Sequence, residues 1–319
     1  MTTILELKEI AKRIYARFGI YIIPAVKFVV ELIALLLIRN AFGYDDRVSS
    51  IPLCLILALA AAVLPLGISI LIPAIVILVN FYALSMEVFL AGGAIMAIVA
   101  LLYLRFNPKT GYLVVLTPVF CAFHIPFILP VAAGLLFEPG AAVSVACGTF
   151  LFYFFQGISV NAAAFTGGEE STALEKISTL IKQITGNREM LLVILVFILV
   201  TIAVYAIRRL SINHSWTIAL IVGFMTEFVI LLGGFIALGM NEKIGFLVLG
   251  NVICVGMALV LKFLCFSVDY KRTERVQFED DDYYYYVKAV PKLQMEPEEK
   301  KVRKYNSTEK KRQQGGGKA

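Results

Sequence analysis

Long apolar runs separated by short polar stretches recur along the chain from residue 21 to residue 266. Several runs have the roughly 20 residues that a helix needs to cross the hydrocarbon core of a bilayer. Six full spans are predicted, over residues 21–40, 86–106, 140–163, 190–208, 215–239 and 244–266. The predicted fold class is therefore an all-α, polytopic transmembrane helix bundle at residues 21–266.

Two further apolar runs, residues 51–84 and 111–138, are interrupted by prolines. Each run is long for one span and short for two, and a proline inside a helix costs roughly 3 kcal/mol. We therefore expect two proline-broken hairpins, which gives eight to ten helical segments together with the spans. Two pairs of short complete crossings are the alternative.

Each predicted hairpin is followed by an ordinary span, so the same unit occurs twice in succession. Two such units inserted from opposite sides resemble the inverted repeats of secondary transporters, in which broken helices expose backbone groups to a cavity. The alternative is that the prolines only kink packed helices. On the transporter hypothesis, Pro126 and Pro130 of the second hairpin mark a pathway.

The segments outside the spans carry charge. Residues 1–20 combine apolar positions at helical spacing with four basic residues, which predicts an amphipathic helix on the membrane surface or a cytoplasmic extension of the first span. Residues 166–189 predict a short interfacial helix, with Glu169 and Glu170 near its start and Lys182 near its end, or a connecting loop.

A polar tail, residues 267–319, follows the last span. Extended segments on both sides of the acidic residues 280–282 predict a small β-hairpin at residues 273–290. Alternating charges and a Gly-rich end predict disorder at residues 296–319. The basic runs of the tail either contact anionic lipid or stay solvated and only set the topology.

Composition supports insertion in a membrane, since 60% of the residues are hydrophobic, only 16% are charged and the mean hydropathy is +0.84. Basic residues cluster at both termini, at Arg105 and Lys109, and at Arg208 and Arg209. Cytoplasmic loops are enriched in Lys and Arg, so we expect these sites and both termini in the cytoplasm. The expected location is the cell membrane.

Motifs for cofactor or metal chemistry are absent from the sequence. The five cysteines stand apart in apolar segments, which predicts neither a zinc site nor disulfides. The chain has no Gly-rich phosphate loop and no catalytic triad or HExxH pattern, so we expect no metal, no cofactor, no ATPase activity of its own and no enzyme. Nothing in the sequence predicts binding to nucleic acid.

Ionisable residues inside apolar segments are few, and such residues commonly mark ion, proton or substrate pathways. Glu227, preceded by Thr226, lies near the middle of a predicted span and is the strongest pathway candidate. A structural hydrogen bond of the protonated carboxyl group is the alternative. Lys27 and Glu31 share one face of the first span, and we expect them to neutralise each other. A place on the substrate or ion pathway is the alternative for this pair.

His124, in the second predicted hairpin, can exchange protons near neutral pH, although packing is the commoner role of a single histidine.

The segment RTERVQFEDDDYYYYVKAVPK, residues 272–292, resembles a stretch of multispan bacterial proteins classed loosely as ABC-transporter permeases. The resemblance covers only this short part of the chain. It implies a bacterial cytoplasmic-membrane location and assigns no residue roles. The chain lacks a loop similar to the EAA motif of importer permeases, and the ATPase of such a system would be a separate chain.

Together these features favour a transporter or permease of unknown substrate. A membrane-embedded scaffold or anchor subunit of a cell-envelope assembly is the alternative function. The candidate partners are the lipid bilayer, a separate ATPase, other membrane subunits and a second copy of the chain.

Overall fold

The computed structural model of the chain describes residues 2–45, 47–106, 110–166, 173–265 and 273–290. Within these residues the helices are α1 (Thr2–Phe42), α2 (Ile51–Val63), α3 (Leu66–Ser69), α4 (Leu71–Leu84), α5 (Met86–Phe106), α6 (Tyr112–Ala122), α7 (Ile128–Leu136), α8 (Ala141–Val160), α9 (Ala162–Thr166), α10 (Ala173–Gly186), α11 (Arg188–Arg208), α12 (Ser215–Ala237) and α13 (Ile244–Cys265). The strands are β1 (Glu274–Glu279) and β2 (Tyr284–Ala289). The helices belong to one compact unit and the strands to a second. The predicted all-α class of the bundle is confirmed.

Six helical segments of the described part of the chain are long and apolar enough to cross a membrane: Arg13–Phe42, Gly67–Leu84, Ala141–Val160, Arg188–Arg208, Ser215–Ala237 and Asn241–Cys265. Five of them overlap predicted spans. The other, Gly67–Leu84, lies in the first predicted hairpin, whereas the predicted span 86–106 is α5. The protein is a multi-pass integral membrane protein.

Two ends of the bundle can be distinguished by the contacts of α11 with its neighbours. At one end Arg208 donates hydrogen bonds to the carbonyls of Leu135 and Phe137, just before α8 begins. At the other end the hydroxyl of Tyr153, late in α8, donates to Glu189 over 3.0 Å. Helices α8 and α11 therefore run antiparallel, and we call these ends the Arg208 end and the Glu189 end.

The first predicted hairpin enters and leaves the bundle at the Glu189 end. Phe42, the last residue of α1, packs against Phe81 near the end of α4 and against Phe155 near the end of α8, with ring centroids 5.4 and 5.7 Å apart. Helix α2 starts after the short loop that follows α1. At the other end of α2, Lys27, which lies midway along α1, donates to the carbonyl of Leu64 over 3.1 Å. The turn between α2 and α4, which contains α3, therefore lies level with the middle of α1.

The second predicted hairpin enters and leaves at the Arg208 end. Thr110, just before α6, shares a hydrogen bond of 2.8 Å with Ser144 near the start of α8. Thr117, two turns along α6, contacts Gly148, so α6 and α8 run parallel and α7 returns between them and α11. At 1.5 Å per residue the 11 residues of α6 span about 16 Å, roughly half of a hydrocarbon core of about 30 Å. This hairpin is re-entrant and does not form two complete crossings.

Each hairpin lies in its own apolar core. Helix α7 is buried along almost its whole length and packs with α11, α12 and α13. Helices α2 and α4 pack against α1 in the second core. Helix α8 joins the two cores, because Val145 belongs to the first and Phe154 to the second.

The predicted N-terminal helix and the first span form one continuous helix, α1, with Pro24 inside it. This continuity matches the alternative in which residues 1–20 extend the first span. The predicted helix after residue 166 is present as α10, held by an ion pair of 3.5 Å between Lys176 and Glu87 at the start of α5. Glu169 and Glu170 lie outside the described residues.

The predicted β-hairpin of the tail is present, with β1 and β2 antiparallel. Val276 pairs with Val287, and Phe278 pairs with Tyr285 on the same face, their rings stacked with centroids 4.9 Å apart. The backbone N–H of Asp280 donates to the carbonyl of Tyr283 over 2.9 Å and closes the acidic turn. The predicted disordered region, residues 296–319, lies outside the described residues.

Candidate functional site

The break between α6 and α7 is a regular helix termination followed by a proline. The N–H of Ile125 donates to the carbonyl of Phe120, and the N–H of His124 donates to the carbonyl of Cys121, both over 3.0 Å. This pair of bonds defines the Schellman motif, in which the residue after the C-cap adopts a left-handed conformation. That residue is His124, with φ of 59°. Pro126 then prevents the helix from continuing.

The position of His124 normally favours glycine. At the end of α12 the same pair of hydrogen bonds occurs around Gly239, with φ of 73°. A residue with a Cβ pays roughly 1–2 kcal/mol for this conformation. At the second break the chain therefore carries an imidazole where a glycine would be less strained. The imidazole is exposed and stacks on the ring of Phe246 in α13, with centroids 5.2 Å apart.

Pro130 lies in the first turn of α7, where backbone N–H groups have no partner within the helix. Proline is tolerated there because the missing donor is not needed. Pro126 therefore ends one helix, and Pro130 is compatible with the start of the next. The two prolines mark the break itself, as predicted, and do not kink a continuous helix.

Helix α13 packs directly on the second break. A Cβ on Gly250 would lie 2.8 Å from the carbonyl oxygen of His124 and 2.7 Å from the ring of Phe127, so only glycine fits without displacement. One turn further on, the thiol of Cys254 donates to the carbonyl of Ile125 over 3.4 Å. The break is therefore in backbone contact with α13.

Glu227 lies beside this break. Its carboxyl group is fully buried, and neither of its oxygens has a hydrogen-bond partner within the described residues. It lies within electrostatic range of Cys254. Asn251, on α13, is also buried, and its side-chain nitrogen has no partner in the same residues. Thr226 is half-buried and precedes Glu227 on α12.

The predicted neutralisation of Lys27 by Glu31 is wrong. The ammonium group of Lys27 donates to the carbonyl of Leu64, at the end of α2, where a positive charge complements the helix dipole. Glu31 is fully buried, and both of its carboxyl oxygens lack a hydrogen-bond partner in the described part of the chain. It lies within electrostatic range of the buried hydroxyl of Tyr112. Helical spacing made the pair possible, but the open end of α2 offers Lys27 the better acceptor.

A cleft of about 640 Å³ lies between α1, α4, α5, α6 and α8. Both hairpins line it, the first through Gly67 and Pro73 and the second through Pro118 and His124. No Asp, Glu, Lys or Arg is among the described residues that line the cleft. Polar side chains are concentrated in its lining at Asn40, Gln156 and Ser159.

The predicted pathway residues fall into three places. His124 and Pro126 lie at the second break, and His124 also lines the cleft. Glu227 and Thr226 lie on α12, and neither lines the cleft. Lys27 caps the end of α2, and Glu31 lies one turn further along α1.

Sequence reasoning missed the cleft and the contacts of Arg208. The cleft is built from faces of five helices, and no local pattern marks those faces. Arg208 served only as a topology marker, although its guanidinium group caps the carboxyl end of α7. The position of Arg208 at the end of a span was the feature of the sequence from which such a cap could have been predicted.

The fold and the cleft define a membrane protein in which two helical hairpins line one cleft, and no Asp, Glu, Lys or Arg is among the described lining residues. Comparison of the chain with protein-family models, curated proteins and solved structures found no match.

Proposed function

We propose that this protein is a transporter of the permease type, which carries a substrate across the cytoplasmic membrane through the cleft. One observation carries the proposal: two hairpins that enter from opposite ends of the bundle line the same cleft. Broken helices in membranes occur where the irregular backbone is buried in protein or lines a cavity. In secondary transporters, paired elements of this kind open the site alternately to the two sides.

Glu227 supplies an ionisable group for this mechanism. It lies within electrostatic range of Cys254, whose thiol donates to the carbonyl of Ile125, so a change in its charge acts on the break next to His124, which lines the cleft. Coupling to a proton or another cation is the energy source that this arrangement favours. The resemblance of the tail to permeases favours a separate ATPase instead.

The proposal is tested by access to one position in the wall of the cleft, next to the second break, from both sides of the membrane. Ala122, at the end of α6, lines the cleft and is replaced by cysteine in a background without native cysteines. A membrane-impermeant thiol reagent is applied to vesicles of either orientation. We expect Ala122→Cys to react from both faces, because alternating access exposes the site to each side in turn.

The matched control is Val160→Cys, an exposed position on the rim of the cleft at the end of α8, which should react from one face only. Reaction of Ala122→Cys from a single face would contradict transport through the cleft.

The second candidate function is a membrane scaffold, and the tail hairpin favours it. Phe278, Tyr285 and Val276 lie on one exposed face of the two-stranded sheet. A two-stranded sheet is marginal by itself, so this face fits a partner that completes it. Single-sided reaction of Ala122→Cys, together with loss of a membrane complex on deletion of residues 273–290, would favour the scaffold.

A further inference from the structure

We propose that the cleft binds a membrane amphiphile without net charge. Its acyl chain lies among the aliphatic side chains of the cleft, and its polar head lies at the rim formed by Asn40, Gln156 and Ser159. The further statement that this amphiphile is the transported substrate rests on the proposed function.

The interior of the cleft fits an acyl chain. Five helices contribute aliphatic side chains to its wall, among them Leu37, Ile77, Val99, Val115 and Leu151. Apolar contact of this kind stabilises a bound chain by packing, while a charged solute would lose its hydration without gaining a counter-ion. Since no Asp, Glu, Lys or Arg lines the cleft in the described residues, ionic solutes are poor ligands for it.

The polar residues of the lining are not spread evenly along the cleft. Asn40 lies near the carboxyl end of α1, and Gln156 and Ser159 lie near the carboxyl end of α8, so all three are at the Glu189 end of the bundle. Amide and hydroxyl groups donate to and accept from ester, hydroxyl and phosphate oxygens. Ser159 donates its proton to the carbonyl of Ala41 over 3.1 Å, so its oxygen remains an acceptor.

This distribution separates a polar rim from an apolar interior, as in an amphiphile held at one face of a bilayer. His124 is a further polar group of the lining, at the second break, and its ring stacks on Phe246 near the start of α13. In transport, its imidazole provides a hydrogen-bonding group for the head as it leaves the rim. An apolar solute without a head would use neither feature.

The binding proposal is tested with purified protein in nanodiscs of phosphatidylcholine that contain a fraction of phosphatidylcholine with a diazirine on its acyl chain. After photolysis, mass spectrometry locates the adducts. We expect adducts on peptides that contain Leu37 and Val115, which line the cleft from α1 and α6.

Two tryptophan substitutions on one helix separate cleft binding from general contact with lipid. Ala100 lines the cleft from α5, whereas Ala97, on the same helix, is exposed and does not line it. We expect Ala100→Trp to lower the yield of cleft adducts about ten-fold, a loss that corresponds to about 1.4 kcal/mol of binding, and Ala97→Trp to leave it unchanged. Ala74→Trp, from the α4 wall, is the second cleft-filling variant if Ala100→Trp does not fold.

Equal adduct yields in Ala100→Trp and Ala97→Trp, or no adducts in the cleft, would overturn the binding proposal. If Ala122→Cys still reacts from both faces in that case, the transporter stands and its substrate is not an amphiphile.

Cleft adducts without movement of fluorescent phosphatidylcholine between the leaflets of proteoliposomes would uphold binding and overturn its role as the substrate. Cleft adducts with single-sided reaction of Ala122→Cys would uphold binding and overturn the transporter.

Discussion

Two buried carboxyl groups, Glu227 and Glu31, lie in this bundle without a hydrogen-bond partner among the described residues. Both are fully buried, yet their surroundings differ. Glu227 lies within range of Cys254 beside the second break, whereas Glu31 lies within range of Tyr112 near the start of α6. A buried ionisable group is costly and is kept where it has a task or a partner that forms in another state.

Glu227→Gln therefore tests the task of Glu227, with Glu31→Gln as its matched control. The amide preserves size and hydrogen bonding but cannot ionise. We expect Glu227→Gln to change the labelling rate of Ala122→Cys from one face by roughly ten-fold, equivalent to about 1.4 kcal/mol between the two states. Glu31→Gln should leave the rate unchanged. Melting temperatures in detergent check that both variants fold, and equal labelling in the two variants would assign Glu227 a packing role.

At the scale of elements, the second break determines the shape of the site. The chain could be predicted to break near Pro126, because a proline cannot continue a helix. The left-handed His124 and the fit of Gly250 against its carbonyl could not be predicted, because they depend on α13, which lies more than 100 residues further along the chain. The same holds for the cap that Arg208 provides to α7.

Gly250→Ala tests the contact between α13 and the break, with Gly256→Ala as the control on the same helix. The new Cβ at 250 would meet backbone and an aromatic ring, whereas nothing lies within 4 Å of a Cβ at 256. Overpacking of this kind typically costs about 1–3 kcal/mol. We expect Gly250→Ala to lower the thermal stability in detergent and Gly256→Ala to leave it equal or slightly raised, since alanine favours helix. Equal stability of both variants would mean that α13 does not hold the break.

At the scale of the whole molecule, the two hairpins enter from opposite ends, and each has its own core. The basic residues at the ends of the spans predict one orientation, in which the Arg208 end lies in the cytoplasm. On this prediction, α10 lies outside and both termini lie inside.

Single-cysteine labelling checks this orientation. In a background without native cysteines, Glu175→Cys on α10 should react with an impermeant reagent from outside the cell, because α10 follows the end of α8 at the Glu189 end. A cysteine in the tail should react only after the membrane is permeabilised. A cytoplasmic position 175 would reverse the assignment of the central half of the bundle.

The sequence by itself determined the membrane class, the helix ends near charged and proline residues, the two broken hairpins and the tail hairpin. These features follow from the hydropathy of a local run, from the missing N–H of proline and from strand alternation. Each of these three causes depends only on neighbouring residues of the chain or on whether a segment lies in lipid or in water.

Only the tertiary structure decided that Lys27 binds Leu64 and not Glu31, that Glu227 lies beside the second break, and that both hairpins line one cleft. A helix in a bilayer carries aliphatic side chains on its lipid-facing and protein-facing sides alike, so the apolar periodicity that marks the inner face of a soluble helix is weak. Which faces meet was therefore set by close packing and by hydrogen bonds between segments far apart in the chain.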